Sequence, residues 1–253
     1  MRKGVNSSFP FPCNLNPLGG SQCIMTVENS LALESPRAIT LPLYSIREEI
    51  VNSILHGIGV LAATAGLVLL NLKTIGILGG QRGGNMDIVA ALIFAITMIG
   101  MFLVSTLYHA IQHQDAKKIL RKLDHSMIFI FIAGTYTPFC LTGLQGAWGW
   151  SIFGFQWVMA FTGITLNFLD CKALKKIEIA AYVLMGWALV VGFVPLFRSV
   201  PILSIILVIA GGIAYTMGII WYRKKSLKYA HGVWHAFVVL GAVLHWFSVW
   251  HLQ

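Results

Sequence analysis

Residues 88–109 read IVAALIFAITMIGMFLVSTLYH, an apolar run that contains no Asp, Glu, Lys or Arg and closes on a histidine. A helix needs about 20 such residues to cross a hydrocarbon core of about 30 Å, and this run has that length. Further apolar stretches of similar size lie at 54–72, 127–144, 148–168, 179–197, 202–222 and 233–252. A membrane β-barrel shows alternating segments of about 10 residues, and these runs do not alternate. Composition agrees: 57% of the 253 residues are hydrophobic and 11% are charged, with a mean hydropathy of +0.76. Soluble domains carry about 25% charged residues. The expected fold class is all-α, a polytopic membrane protein with seven transmembrane helices.

The formal net charge is +9, which invites a nucleic-acid partner until the charges are placed. With successive loops assigned to alternate sides, Arg2, Lys3, Arg37, Arg47, Lys117, Lys118, Arg121, Lys122, Lys172, Lys175, Lys176, Arg223, Lys224, Lys225 and Lys228 share one side. Only Lys73, Arg82 and Arg198 fall on the other. A Lys/Arg bias of this kind marks the cytoplasmic side. The N-terminus is therefore expected in the cytoplasm and the C-terminus outside, in a multi-pass protein of the cell membrane. The basic surplus is a topology signal with some attraction to anionic lipid headgroups, so membrane lipids are the expected partners and nucleic acid is not.

Two regions follow. Residues 1–44 are broken by Pro, Gly and Asn without a helical or strand period, and read as a disordered cytoplasmic leader. No apolar segment follows Arg2-Lys3, so a cleaved signal peptide is not expected, and a start at Met25 would leave the membrane domain intact. Residues 45–253 form that seven-helix domain. Its first helix should begin at Ser45, because Ser45 and Glu48 have capping-box spacing. Pro138 in the third run should bend its helix, and Gly211-Gly212 and Gly241-Ala242 offer small residues for close helix packing. The glycines around Gly79–Gly84 make an external turn with no phosphate-binding motif after it. Cys13, Cys23, Cys140 and Cys171 do not suggest a disulfide framework, since no pair falls on the oxidising side.

Polar residues gather at one depth. Glu49, Asn52 and His56 lie at offsets of 3 and 7 on the inner half of the first helix, and Ser105 and His109 near the inner end of the second. Asp124 opens the third helix, and His231 and His235 open the seventh. At about 1.5 Å per residue all lie within roughly 15 Å of the cytoplasmic boundary. Ser105/His109 and His231/His235 are i,i+4 pairs, each directed to one helix face. Ionisable groups inside a span are costly and mark function by default. Three imidazoles from two helices suffice for a catalytic Zn2+ with a fourth position left for water. The spacing is not His-Glu-x-x-His, because Gly232 stands where that motif has its base, so Asp124 is the nearest candidate base. Histidine pairs in membrane helices also simply hydrogen-bond across helices, and Ser105 can bond back to its own helix. His125 points about 100° away from Asp124, His245 lies toward the outer side, and His113 and His251 are solvated ends. Glu178 and Asp170 read as loop charges.

On Glu49-x2-Asn52-x3-His56, Ser105-x3-His109, Asp124-His125-Ser126, Gly134-Thr135-Tyr136-Thr137-Pro138 and His231-x3-His235, the chain resembles the hemolysin III family. That family is the bacterial branch of the progestin and adipoQ receptor superfamily, and the likeness spans about residues 45–252. It implies a seven-helix fold with a cytoplasmic N-terminus and a zinc held by His109, His231 and His235. Water would fill the remaining position, with Asp124 bonded to it and Ser105 beside the metal. In the receptor branch such a site is associated with hydrolysis of lipid amides such as ceramide, whereas the hemolysin name refers to cytolysis through pores.

Two functions are thus expected to compete. The first is a zinc-dependent hydrolase of a lipid-like amide or ester, with Asp124 and Ser105 catalytic and Glu49, Asn52 and His56 supporting the ligands. The alternative is a pore-forming or signalling membrane protein whose zinc is structural. No helix carries a polar stripe along its full length, which argues against a wide channel.

Overall fold

A computed structural model describes residues 44–79 and 82–253. The expected leader, Tyr44 apart, lies outside the described residues, as do Cys13, Cys23 and two positions of the Gly79–Gly84 turn. The described chain is helical throughout, with no strand. The helices are α1 (Ile46–Thr74), α2 (Asn85–Ala110), α3 (Gln114–Pro138), α4 (Gly146–Phe168), α5 (Lys172–Gly186), α6 (Phe193–Ser199), α7 (Ile202–Arg223) and α8 (Ala230–Leu252). Among the described residues, six segments are long and apolar enough to cross a membrane: α1, α2, α3 with its extension to Leu144, Lys175–Ser199, α7 and α8. The protein is a polytopic all-α membrane protein. Helix α4 has 23 residues and no charge, but Trp, Gly, Gln and Asn hold its hydropathy below that of the other six.

Local chemistry sets the helix ends. Ser45 caps α1 in a capping box with Glu48: the Ser45 N–H donates to Glu48 Oε2 at 3.0 Å and the Glu48 N–H to Ser45 Oγ at 3.4 Å. The other Glu48 oxygen accepts the Tyr229 N–H at 2.9 Å, where Tyr229 enters α8 in the left-handed region at φ 61°. One carboxylate thereby fixes the starts of α1 and α8 together. At Pro138, where one backbone donor is missing, α3 passes into a π-helical turn over Phe139–Leu144. The run at 179–197 is not one continuous helix. It breaks into a 3-10 segment, Ala188–Gly192, before restarting as α6. Proline fits a helix without costing it a backbone hydrogen bond in its first turn, and the restart places Pro195 there. The α4–α5 turn passes through Asp170 at φ 53°. Its carboxylate accepts from Lys122 at 2.6 Å and Lys175 at 2.9 Å, and those bonds hold its carboxyl below the usual range.

Helices α1, α2 and α3 pack in sequence, α7 packs along α8, and α8 returns against α1. The core between them contains Leu70, Phe94, Met98, Phe131, Phe139 and Val249. The outward faces are as apolar as the core, with Ile58, Leu61, Val158, Phe161, Leu184 and Ile206 exposed, as a surface facing lipid requires. The buried stripe of α1 runs Glu49, Asn52, His56, Gly59, Ala63, Gly66, Leu70, Thr74. Its ionisable members, Glu49 and His56, both fall in its first three turns, so α1 brings its buried ionisable groups to one end of the bundle.

Candidate metal centre

The starts of α1, α3 and α8 and the end of α2 meet at that end. His109 ends α2 with no exposed surface, and His235 lies one turn after His231 on α8. One ring nitrogen from each of His109, His231 and His235 falls within 4.8 Å of the other two. His109 Nε2 and His235 Nε2 are 3.1 Å apart, and His231 Nε2 is buried with no hydrogen-bond partner. This grouping alone among the described residues gathers three such side chains around one point, and it can hold a metal ion.

Two of the residues expected beside these histidines, Glu49 and His56, occupy the far nitrogens of His109 and His235. The His109 Nδ1–H donates to Glu49 Oε2 at 2.5 Å, and His235 Nδ1 shares a hydrogen bond of 2.7 Å with His56 Nε2. Partners of this kind orient ligating imidazoles and set their tautomers. Asn52 is buried in the same stripe and makes no bond to a histidine; it faces Gly232 instead. A Cβ at position 232 would lie 3.2 Å from Asn52 Oδ1 and 3.3 Å from Val51 Cγ1. The glycine in His231-Gly232-Val233-Trp234-His235 therefore lets α8 approach α1 closely enough for both histidines to reach His109.

Asp124 is outside the converging set. Its carboxyl faces Ser105 and lies within electrostatic reach of His109. The buried Ser105 hydroxyl faces it without the geometry of a full hydrogen bond. The structure thus links His109, His235, Glu49 and His56 through hydrogen bonds and sets His231 against them through ring contacts, with Ser105 and Asp124 alongside and Asn52 behind Gly232. His125 points elsewhere, as its helical offset requires: its Nδ1 pairs with Glu178 Oε1 at 3.0 Å.

Three side chains were not read correctly from the sequence. Lys117, counted there as a loop charge, is 4% exposed on α3 and donates to Glu49 Oε1 at 2.5 Å. Its position seven residues before Asp124 places both on one helical face, which was the available signal. Glu178 is no loop charge either; it is half-buried on α5 and bonded to His125 and Tyr182. Tyr44, at the boundary of the expected leader, stacks on His231 with centroids 4.9 Å apart. Burial, with Tyr222 nearby, raises the Tyr44 phenol above its ordinary pKa, so this ring covers His231 as a neutral group.

Comparison with known proteins assigns the helical region as a whole to one family. The model of the haemolysin-III-related family matches residues 44–246, which takes in every helix that contributes to the site. The chain belongs to the hemolysin III family. A hemolysin-3 homolog of Bacillus subtilis is 38% identical over 207 residues, covering 82% of this chain and 95% of the relative. Hemolysin-3 of Bacillus cereus is 34% identical over 204 residues, covering 81% and 91%. The human monocyte to macrophage differentiation factor is 28% identical over 172 residues, covering 64% of this chain and 69% of the relative. This reach places the hemolysin III family within the progestin and adipoQ receptor superfamily. With its apolar helices and bacterial relatives, the protein is a multi-pass protein of the cell membrane.

Proposed function

We propose that this hemolysin III protein is a zinc-dependent intramembrane hydrolase acting on a lipid-like amide or ester. The observation that carries the reading is the convergence of three imidazoles, two of which, His109 and His235, have their far nitrogens already engaged. Two nitrogens on a tetrahedral zinc, at Zn–N of about 2.0–2.1 Å, lie about 3.3 Å apart. His109 Nε2 and His235 Nε2, 3.1 Å apart, match that spacing. The Glu49 carboxylate only accepts, so it keeps the His109 proton on Nδ1 and leaves the Nε2 lone pair facing the cluster. The unpartnered His231 Nε2 supplies the third donor. A donor set of three neutral imidazoles suits Zn2+, and the ion would supply Lewis acidity to polarise a carbonyl and acidify water.

The protein's own groups then divide the work. Asp124 takes the proton of the attacking water on its carboxylate, and Ser105 steadies that carboxylate from α2. His109, His231 and His235 hold their orientation through Glu49, His56 and the Tyr44 stack. A site at the end of an otherwise apolar bundle suits a substrate with a small polar head and a long acyl chain. The test is zinc content and hydrolysis measured on one purified variant, Asp124→Asn. The expected outcome is full zinc with turnover reduced about 10²–10⁴-fold, the usual contribution of a general base. Full zinc with unchanged turnover would remove Asp124 from the mechanism, and a folded zinc-free variant would make it a ligand.

In the same reading α4 is the seventh span, the N-terminus is cytoplasmic and the C-terminus is outside, supported by the placement of Lys and Arg. A reporter fused after Gln253 is expected to be active only outside the cytoplasm; cytoplasmic activity would reverse the topology and move the site to the other face.

A second reading has an observation of its own. The bonds around the cluster tie α1, α2, α3 and α8 to one another, which a purely structural zinc would also do, in a pore-forming or signalling protein. It predicts that chelation lowers the melting temperature and that Asp124→Asn has no effect beyond folding.

A further inference from the structure

The two oxygens of Glu49 are given to two different helices. Oε2 accepts from His109 Nδ1 of α2 and Oε1 from Lys117 Nζ of α3, each at 2.5 Å. Lysine is almost never fully buried unless paired, and stripping water from its ammonium is a cost that only a close, well-aimed partner offsets. Lys117 has that partner, and its ammonium also lies 5.2 Å from the Tyr108 ring centroid. Tyr108 itself precedes His109 on α2, so the lysine touches both the residue that holds His109 and the residue next to it.

We propose that Lys117 is a positioning residue of the metal centre: by gripping Glu49 Oε1 it aims Oε2 at His109, keeps the His109 proton on Nδ1 and turns His109 Nε2 toward His231 and His235. This inference rests on the metal reading above for its purpose, though not for its geometry. The terminal torsion of a glutamate is broad, so one imidazole contact does not fix where its carboxylate points, whereas two contacts from two helices do. A carboxylate can only accept, so the imidazole nitrogen facing Glu49 Oε2 must carry the proton. With Lys117 gone, Glu49 keeps a single partner and is free to turn. His109 is then free to adopt the Nε2–H tautomer, which has no lone pair to offer on the side of the cluster.

Ring 15N shifts of histidine report the tautomer directly in the metal-stripped full chain, and chelator competition on the same preparation reports zinc affinity. Wild-type His109 is expected as the Nδ1–H tautomer. Lys117→Met should give a mixture containing Nε2–H and bind zinc about 10–100-fold more weakly, the usual cost of losing a residue that supports a ligand. Lys117→Arg should restore both readouts, and Lys117→Met in a Glu49→Gln background should change neither further. If Lys117 merely ties α3 to α1, Lys117→Met lowers the melting temperature while tautomer and affinity stay as in wild type, and the proposal is wrong. Wild-type His109 found as Nε2–H overturns it without any variant, so the test does not depend on Lys117→Met folding. A wild type that shows Nδ1–H yet takes up no zinc sinks the metal reading, while the tautomer difference still decides whether Lys117 positions His109.

Discussion

Helix α8 buries histidine in two places, and the two places obey different rules. At its start, His235 has imidazole on both sides, His56 at 2.7 Å and His109 at 3.1 Å. Further along, His245 is equally enclosed, but its Nε2–H donates to the Val208 backbone carbonyl at 3.1 Å and its ring packs on Gly211 of α7. A carbonyl consumes the proton of His245 and gives nothing back, whereas His235 keeps both nitrogens in a network of other titratable side chains. Burial of an imidazole therefore says little about function; what meets its second nitrogen says a great deal. The α7–α8 seam around His245 has the character of a structural joint. Ser204 and Ser248 each donate to the other's backbone carbonyl across it, and Gly241 lies so close to Tyr215 that a Cβ there would come within 2.6 Å of the ring.

That contrast can be broken most sharply by exchanging alanine for each histidine. His235→Ala is expected to abolish stoichiometric zinc, while His245→Ala should retain it and lose only stability, about 1–3 kcal/mol. Metal analysis beside thermal unfolding checks both, and equal zinc in the two variants would erase the distinction. A smaller effect is expected one step back from the ligands. His56→Ala should weaken zinc about 10–100-fold without removing it, as read by chelator competition; unchanged affinity would reduce His56 to a packing residue. Smallest for the site is Gly211→Ala, whose Cβ would collide with the His245 ring. Overpacking of this kind costs about 1–3 kcal/mol, so the variant should melt earlier while binding zinc as the wild type does. A loss of zinc there would mean that the joint and the metal centre are coupled along α8.

The sequence made the histidine end legible because each pair repeats at helical spacing, and because Glu49, Asn52 and His56 fall on one face before the fold is known. It also made the start of α1 legible, since a capping box is a local device carried by Ser45 and Glu48 alone. Lys117 was hidden by its charge: a lysine near a helix start is normally solvated, and only Glu49, brought from another helix, explains its burial. The break at Ala188–Gly192 was hidden by hydropathy, which counts apolar residues without regard to where Pro195 can sit in a helix. Helix α4 shows the converse. Its run is uncharged and long, yet its tryptophans and polar amides, such as the buried Gln156 that donates to the Met185 carbonyl at 2.8 Å, leave it less apolar than its length suggests.

The bond between His56 and His235 spans 179 positions of the chain, and that separation has a consequence in time. At roughly 5–20 residues per second, a ribosome makes His56 about ten to forty seconds before the partner it will need. Glu49 waits much less, since His109 and Lys117 follow it by only 60 and 68 positions. The newborn first helix therefore enters the bilayer with its carboxylate soon matched and its imidazole still alone. The three-histidine set must wait for the last helix to arrive, so a ribosome stalled before α8 leaves a membrane-inserted chain with His109 alone of the three.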